Sequence, residues 1–207
     1  MTKNKKLLSI ITLIIAIFIC VGVVFALNSK QVLSTFGIAS AAPVFTFDEV
    51  KGDGWWASEN YNSQASANPE EYKGDEPIDK LPVAGRTVLK GAKGEYTTSC
   101  FVMFAYYDYK TDVAQLQKEK DDEVAKSTSM KRIGSQELQF SVLGAPKSLT
   151  MTNYELIGKE AKDSMKGMSY GWLATDDGHI SVSGVCPTAA ELKSTAAAIN
   201  ALSLTRS

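Results

Sequence analysis

Residues 100–107 read CFVMFAYY, and this run decides the architecture that the rest of the sequence predicts. Successive side chains of a strand point to opposite faces, so Cys100 and Val102 face one way while Phe101 and Met103 face the other. Both rows are apolar. A strand with two apolar faces lies in the middle of a sheet that is covered on each side, so the run predicts a central strand.

The segments around this run predict further strands and two helices. Strands are predicted at 44–50, 86–91, 136–144, 148–156, 168–175 and 179–186, from alternation or from apolar runs bounded by turn residues. One helix is predicted at 111–127 with Thr111 as its N-cap. The other is predicted at 187–204, where Thr188 and Glu191 have capping-box spacing.

The order of these elements predicts an α+β fold. We expect a mostly antiparallel sheet of about six to seven strands covered by two helices, which is an α/β/α sandwich. Asp176, Asp177 and Gly178 separate the last two strands and predict a tight hairpin in which Gly178 has a positive φ.

An uncharged apolar run from Leu7 to Leu27 predicts an N-terminal transmembrane helix before the sheet. Lys3, Lys5 and Lys6 precede the run, so its N-terminal side is expected in the cytoplasm. The best small-x-small cleavage site, Ala39 to Ala41, lies more than ten residues beyond the run. This distance favours a retained anchor, and the alternative is secretion after cleavage near Ala41.

Four segments follow from this reading of the N-terminus. Residues 1–6 are a cytoplasmic tail, 7–27 a transmembrane anchor or uncleaved signal, 28–43 a linker, and 44–207 an extracytoplasmic globular domain with a long loop at 51–82. The chain has 22 basic and 23 acidic residues, and three of the lysines precede the apolar run. The exported part is therefore mildly acidic, which argues against nucleic acid as a partner.

The cysteines predict a disulfide. Cys20 lies within the apolar run, which leaves Cys100 and Cys186 as the only two cysteines of the exported part. An even pair in an oxidising compartment is typical of a bridge, and two buried free thiols are the alternative.

His179 and Cys186 do not form a catalytic pair in this reading. They lie seven residues apart in one predicted strand, which puts them on opposite faces with Cα atoms about 23 Å apart. Two exported cysteines and one histidine without zinc-site spacing predict no metal site, and no cofactor motif is present. We therefore expect no catalytic residues.

Three aromatic residues of the long loop are candidates for binding. Trp55, Trp56 and Tyr61 lie in a polar stretch, where exposed rings stack on sugar rings or on a partner surface. The alternative is a lid that folds back on the sheet.

The element order from residue 86 to residue 205, with an ending of the form V.G.C.t..EL, resembles the PsbP and LpqN type of α/β/α sandwich. The resemblance implies an exported binding or assembly module. An apolar anchor stands where the lipoproteins of that group have a lipobox cysteine, which is a departure from their pattern.

These observations favour a membrane-anchored extracytoplasmic module of the cell envelope that binds a protein or a small ligand. Its other contact is the lipid bilayer, through residues 7–27. One alternative is a structural assembly subunit of an envelope complex. The second is an extracytoplasmic enzyme that uses carboxylates near the long loop, such as Asp48, Glu49 or Asp53.

Overall fold

The computed structural model describes residues 43–48, 54–93, 99–158 and 165–206. Nine strands in these ranges form one mixed sheet, with the order β1-β9-β5-β6-β7-β8-β4-β3-β2. The strands are β1 Pro43–Phe47, β2 Trp55–Ala57, β3 Ala84–Lys90, β4 Cys100–Tyr107, β5 Met130–Val142, β6 Ala145–Leu156, β7 Gly167–Ala174, β8 His179–Cys186 and β9 Leu202–Arg206. Neighbours are antiparallel except β5 and β9, which pair in parallel.

Three α-helices and two 3₁₀ segments accompany the sheet in the described ranges. The helices are α1 Ser63–Ser66, α2 Val113–Lys126 and α3 Thr195–Asn200, and the 3₁₀ segments are Ile78–Lys80 and Ala189–Ser194. Helix α2 packs on β5 and β7, whereas α3 packs on β4, β5 and β9.

Strand β4 is central, as predicted, because it lies between β8 and β3. Its even-numbered side chains, Cys100 to Tyr106, are buried and belong to the hydrophobic core. Its odd-numbered side chains, Phe101 to Tyr107, are only half-buried. We call these two sides of the sheet the inner and the outer face. The expectation of full cover on each side therefore holds for the inner face alone.

The sheet curls until its two ends approach each other. Arg86 of β3 reaches β1, where its Nη1 donates to the carbonyl of Phe45 at 2.7 Å. Its Nε donates to the carbonyl of Ser58 at 2.9 Å, and burial lowers the pKa of the guanidinium. The backbone N–H of Phe45 in turn donates to Oδ1 of Asn60 at 3.0 Å. Side chains thus connect strands that lie far apart in the sheet order.

Aromatic packing fills the interior of this curl. Phe45, Phe104 and Phe140 come from β1, β4 and β5, and all three are buried. The ring of Phe104 lies 5.8 Å from that of Phe45 and 5.9 Å from that of Phe140, centroid to centroid. Leu192 and Ile199 pack into the same core, so the 3₁₀ segment and α3 lie on the inner face.

The predicted sandwich of about six to seven strands and two covering helices is wrong. Strand β9 replaces the end of the predicted helix 187–204, and β2 lies in the predicted loop 51–82. Leu202 and Leu204 are buried while Ser203 and Thr205 alternate with them, which is the period of a strand. This period was concealed because Leu192, Ile199 and Leu202 also fit one stripe of a helix. Pairing of β9 with β1 and β5 curls the sheet around α3 and leaves α2 as the long helix outside it.

Of the two predicted helix caps, one is confirmed and one is wrong. The capping box is confirmed, because Glu191 accepts from both the backbone N–H and the hydroxyl of Thr188, at 3.0 and 2.8 Å. The N-cap of α2 is Asp112 and not Thr111, since the Asp112 carboxylate accepts from the N–H of Ala114 at 3.0 Å.

Gly178 does not have the positive φ that was predicted for it. A side chain at this position would overlap the carbonyl oxygen of Tyr107. The hairpin instead closes through Thr175, whose Oγ1 accepts from the N–H of Gly178 at 3.0 Å. Glycine is needed here for close approach of two backbones.

The predicted transmembrane helix at 7–27 lies outside the described residues, as do the tail 1–6 and most of the linker 28–43. Within the described ranges no helix is both long enough and apolar enough to cross a membrane. The longest of these helices, α2, has 14 residues.

Candidate binding surfaces

Cys100 and Cys186 lie opposite each other on the neighbouring strands β4 and β8. Their Cα atoms are 4.3 Å apart and the two sulfur atoms are bonded. The predicted disulfide between these two cysteines is therefore present. Both side chains are buried on the inner face, and Oγ of Ser194 lies 3.8 Å from Sγ of Cys100. The bridge therefore ties the two central strands to each other beneath the 3₁₀ segment.

His179 lies on the other face from Cys186, as the parity of an unbroken strand predicts. It is buried at the end of β8, with its ring stacked on Tyr107 at 4.6 Å and edge-on to Tyr109 at 5.0 Å. Its Nδ1 donates to the carbonyl of Tyr109 at 3.0 Å, which fixes the tautomer because a carbonyl only accepts. Burial lowers the pKa of His179, although this hydrogen bond opposes the shift.

The three predicted binding aromatics do not share one surface. Trp55 is 5% exposed and belongs to the core, with Nζ of Lys90 5.8 Å from the centre of its ring. Trp56 is the next residue of β2, so its side chain points to the opposite face of the sheet, which is the face of Leu89. Tyr61 lies over Gly85, where any side chain would overlap its ring. This placement fits the alternative in which the loop folds back on the sheet.

Of the three carboxylates named for the enzyme alternative, the structure describes Asp48. Asp48 is exposed, and its backbone N–H donates to the carbonyl of Ala201 at 2.8 Å. Glu49 and Asp53 lie outside the described residues. The described part of the chain holds no group of three or more His, Cys, Asp or Glu side chains that is arranged to bind a metal ion.

One half-buried surface lies on the outer face of β7, β8 and β4. We call it the outer platform and define it as Tyr170, Trp172, Ser181, Ser183, Phe101 and Met103. Register places Tyr170 beside Ser183, and Ser183 beside Met103. The rings of Tyr170 and Trp172 are stacked at 6.2 Å. None of the six side chains carries a charge, and each remains partly accessible.

Helix α2 borders the outer platform and makes several polar contacts with the sheet. Tyr154 donates its hydroxyl proton to Oδ1 of Asp121 at 2.8 Å and accepts from Nε2 of Gln117 at 3.0 Å. Burial and the Asp121 carboxylate raise the pKa of Tyr154 to about 12. Lys120 and Val124 are the buried residues of α2, so an apolar side chain also takes part in this attachment.

Lys120 links the helix to the edge of the outer platform. Its Nζ lies 4.8 Å from the centre of the Tyr170 ring, within the range of a cation–π contact. The same ammonium pairs with Oε2 of Glu123 at 3.0 Å. Burial, together with the Glu123 charge, raises the pKa of Tyr170.

A second surface feature is a cavity at one end of the curled sheet, which we call the mouth cavity. Its volume is about 220 Å³. Its walls come from five strands and two turns, namely Pro43, Tyr106, Val142, Leu143, Ala145, Lys147, Thr175, Asp176, Asp177 and Leu204. The apolar side chains form the walls, and the acidic turn after β7 lies at the rim.

Sequence reasoning missed both surfaces, although part of the signal was present. Alternation along β4 and β8 shows which side chains lie on the same face as Met103 and Ser181. It does not show which face of the sheet the helices cover. The mouth cavity depends on β9, which was read as helix. Leu143 is a further local signal. It precedes Gly144 at a turn between two strands, a place where asparagine is the common residue before glycine, so a leucine there is unusual.

No family model matches this chain, and no curated protein matches it. The resemblance to the PsbP and LpqN type stays a prediction.

Proposed function

We propose that this chain is a membrane-anchored extracytoplasmic interaction module, and that the outer platform receives a protein of the cell envelope. The anchor is the apolar run at 7–27, and the domain beyond it lies outside the cytoplasm. A buried Cys100–Cys186 bridge is consistent with an oxidising compartment.

The composition of the outer platform is the observation that carries the proposal. The cores of protein interfaces are enriched in Tyr, Trp, Phe and Met and are depleted of charge. Four of the six platform residues are of these types, and the other two are serines. Helix α2 packs on β5 and β7 and contacts the platform at Tyr170, whereas α3 packs on the inner face. An apolar partner segment laid across β8 and β4 would bury the platform.

Site-specific photo-crosslinking of the full chain in its native membrane tests the platform. A photoreactive residue at Met103 and one at Ser181 probe neighbouring strands of this surface, and one at Gln139, exposed on β5, is the control. We expect both platform positions to capture the same protein and Gln139 not to capture it. If neither platform position yields a product that the control lacks, the platform is not the interface.

Protease added to intact cells tests the location separately. We expect residues beyond the linker to be cleaved without lysis, while the extreme N-terminus stays protected and the chain stays in the membrane fraction. Release of the uncleaved domain into the medium would contradict the anchor and favour cleavage near Ala41.

A further inference from the structure

The mouth cavity has apolar walls and a partly acidic rim. Val142 and Leu204 come from the parallel pair β5 and β9 and are buried, whereas Asp176 and Lys147 are exposed at the rim. With Asp177 the aspartates outnumber the single lysine. The cavity thus offers apolar walls and a rim with excess negative charge.

The leucine at the edge of this cavity is in an unfavourable conformation. Leu143 has φ 51° and Gly144 has φ 83°, so both central residues of the β5–β6 turn are left-handed. This conformation suits Asn and Gly and costs free energy at leucine. The Leu143 side chain is also 49% exposed, and its backbone N–H is held by the carbonyl of Leu204 at 2.7 Å. A leucine at this position therefore stabilises neither the turn nor the core.

We propose that the mouth cavity binds small amphipathic cations, in which a short apolar chain carries an ammonium group. The apolar chain packs against Val142, Leu204 and the exposed side chain of Leu143, and the ammonium pairs with Asp176 at the rim. A volume of about 220 Å³ corresponds to roughly seven water molecules at about 30 Å³ each. A chain of six carbons with one nitrogen has a similar number of heavy atoms. The proposal is independent of the outer platform, which lies on the other face of the sheet.

A titration of the full chain in nanodiscs with n-hexylammonium tests the proposal by methyl NMR. Hexanol and hexanoate are matched probes with the same chain and a neutral or negative head group, and empty nanodiscs correct for partition into lipid. We expect saturable shifts at the methyl groups of Val142 and Leu204. Hexylammonium should bind about threefold to fivefold more tightly than hexanol, because exposed charge pairs are weak, and hexanoate should not bind.

Two variants separate the head-group contact from the apolar contact. Asp176→Asn should reduce hexylammonium to the affinity of hexanol. Leu143→Asn should raise the unfolding midpoint, since asparagine suits the turn, and should weaken binding of both ligands about tenfold. Ile133→Asn is the control, because it removes another exposed apolar side chain far along β5 and should leave binding unchanged.

Three results would overturn the proposal. They are equal affinity for hexylammonium and hexanoate, unchanged affinity in Leu143→Asn, or shifts that are absent from Val142 and Leu204. Because Leu143→Asn is expected to stabilise the fold, loss of binding in that variant cannot be attributed to unfolding.

Discussion

On β4 the inner side chains of Val102 and Phe104 have no exposed surface, whereas their outer neighbours Phe101 and Met103 are half-buried. The inner face is held by apolar contact and a covalent bridge. The outer face has polar contacts as well, namely the hydrogen bonds between α2 and Tyr154 and a cation–π contact at Tyr170. The same strand thus carries one face that is fully buried and a second face that stays partly accessible to solvent.

The largest effect is expected from the bridge of the inner face. Replacing Cys100 and Cys186 together with alanine frees a loop with a sequence separation of 86 residues. A loop of this length suggests a loss of about 4.5 kcal/mol in the free energy of unfolding. Urea denaturation measures this loss, and chemical reduction of the unaltered protein should reproduce it. A loss below about 1 kcal/mol would show that the bridge contributes little to the inner face.

A matched pair of truncations on β4 compares the two faces directly. Phe104→Ala opens a cavity between Phe45 and Phe140 and should cost about 4 kcal/mol. Met103→Ala, one residue earlier and half-buried, should cost about 1 kcal/mol because the platform is already partly hydrated. Both values come from urea denaturation with the bridge intact. Equal costs would mean that the outer platform is packed as tightly as the core.

On the outer face, Tyr154→Phe tests whether α2 is held by polar contacts. The variant loses hydrogen bonds to Asp121 and Gln117, one of them to a charged group, and should cost about 2 kcal/mol. Asp121→Asn keeps the shape of the acceptor without its charge and should cost about half as much. If Tyr154→Phe were neutral, apolar contact at Val124 would be the main attachment of α2.

The same tyrosine gives the outer face an alkaline pH dependence. The pKa of Tyr154 is raised from 10.0 to about 12, so the folded state favours the neutral phenol. This contribution is fully present below pH 10 and is lost as the pH rises through about 12. Denaturation across that interval should show a smaller loss of stability in Tyr154→Phe than in the unaltered protein. Part of the loss should remain, because the pKa of Tyr170 is also raised.

The inner face was largely predictable from the sequence because its signals are local. Period-two alternation identifies the buried rows of β5 and β8, and counting cysteines identifies the partners of the bridge. These signals need no knowledge of distant segments. The parity argument that separated His179 from Cys186 holds for the same reason.

The outer face and the mouth cavity depend on which distant segments meet, and the sequence does not contain that information locally. The sequence predicts a helix at 111–127 but not what holds it on the sheet. Its attachment comes from Gln117 and Asp121, whose partner Tyr154 is 37 and 33 residues away. Strand β9 was concealed because Leu202 fits both a helical stripe and a strand, and pairing with β1 and β5 decides between them.

The smallest expected effect has the opposite sign and comes from a polar side chain on the inner face. Ser169 has no exposed surface, and its Oγ has no hydrogen-bond partner among the described residues. Ser169→Ala keeps the Cβ and removes a buried hydroxyl that packing does not satisfy, so it should stabilise the protein by about 1 kcal/mol. Ser181→Ala on the outer platform is the control and should change stability by less than about 0.5 kcal/mol, because that hydroxyl reaches solvent. Loss of stability in Ser169→Ala would mean that the hydroxyl is hydrogen-bonded in solution, and the inner face would then rest partly on polar contacts as the outer face does.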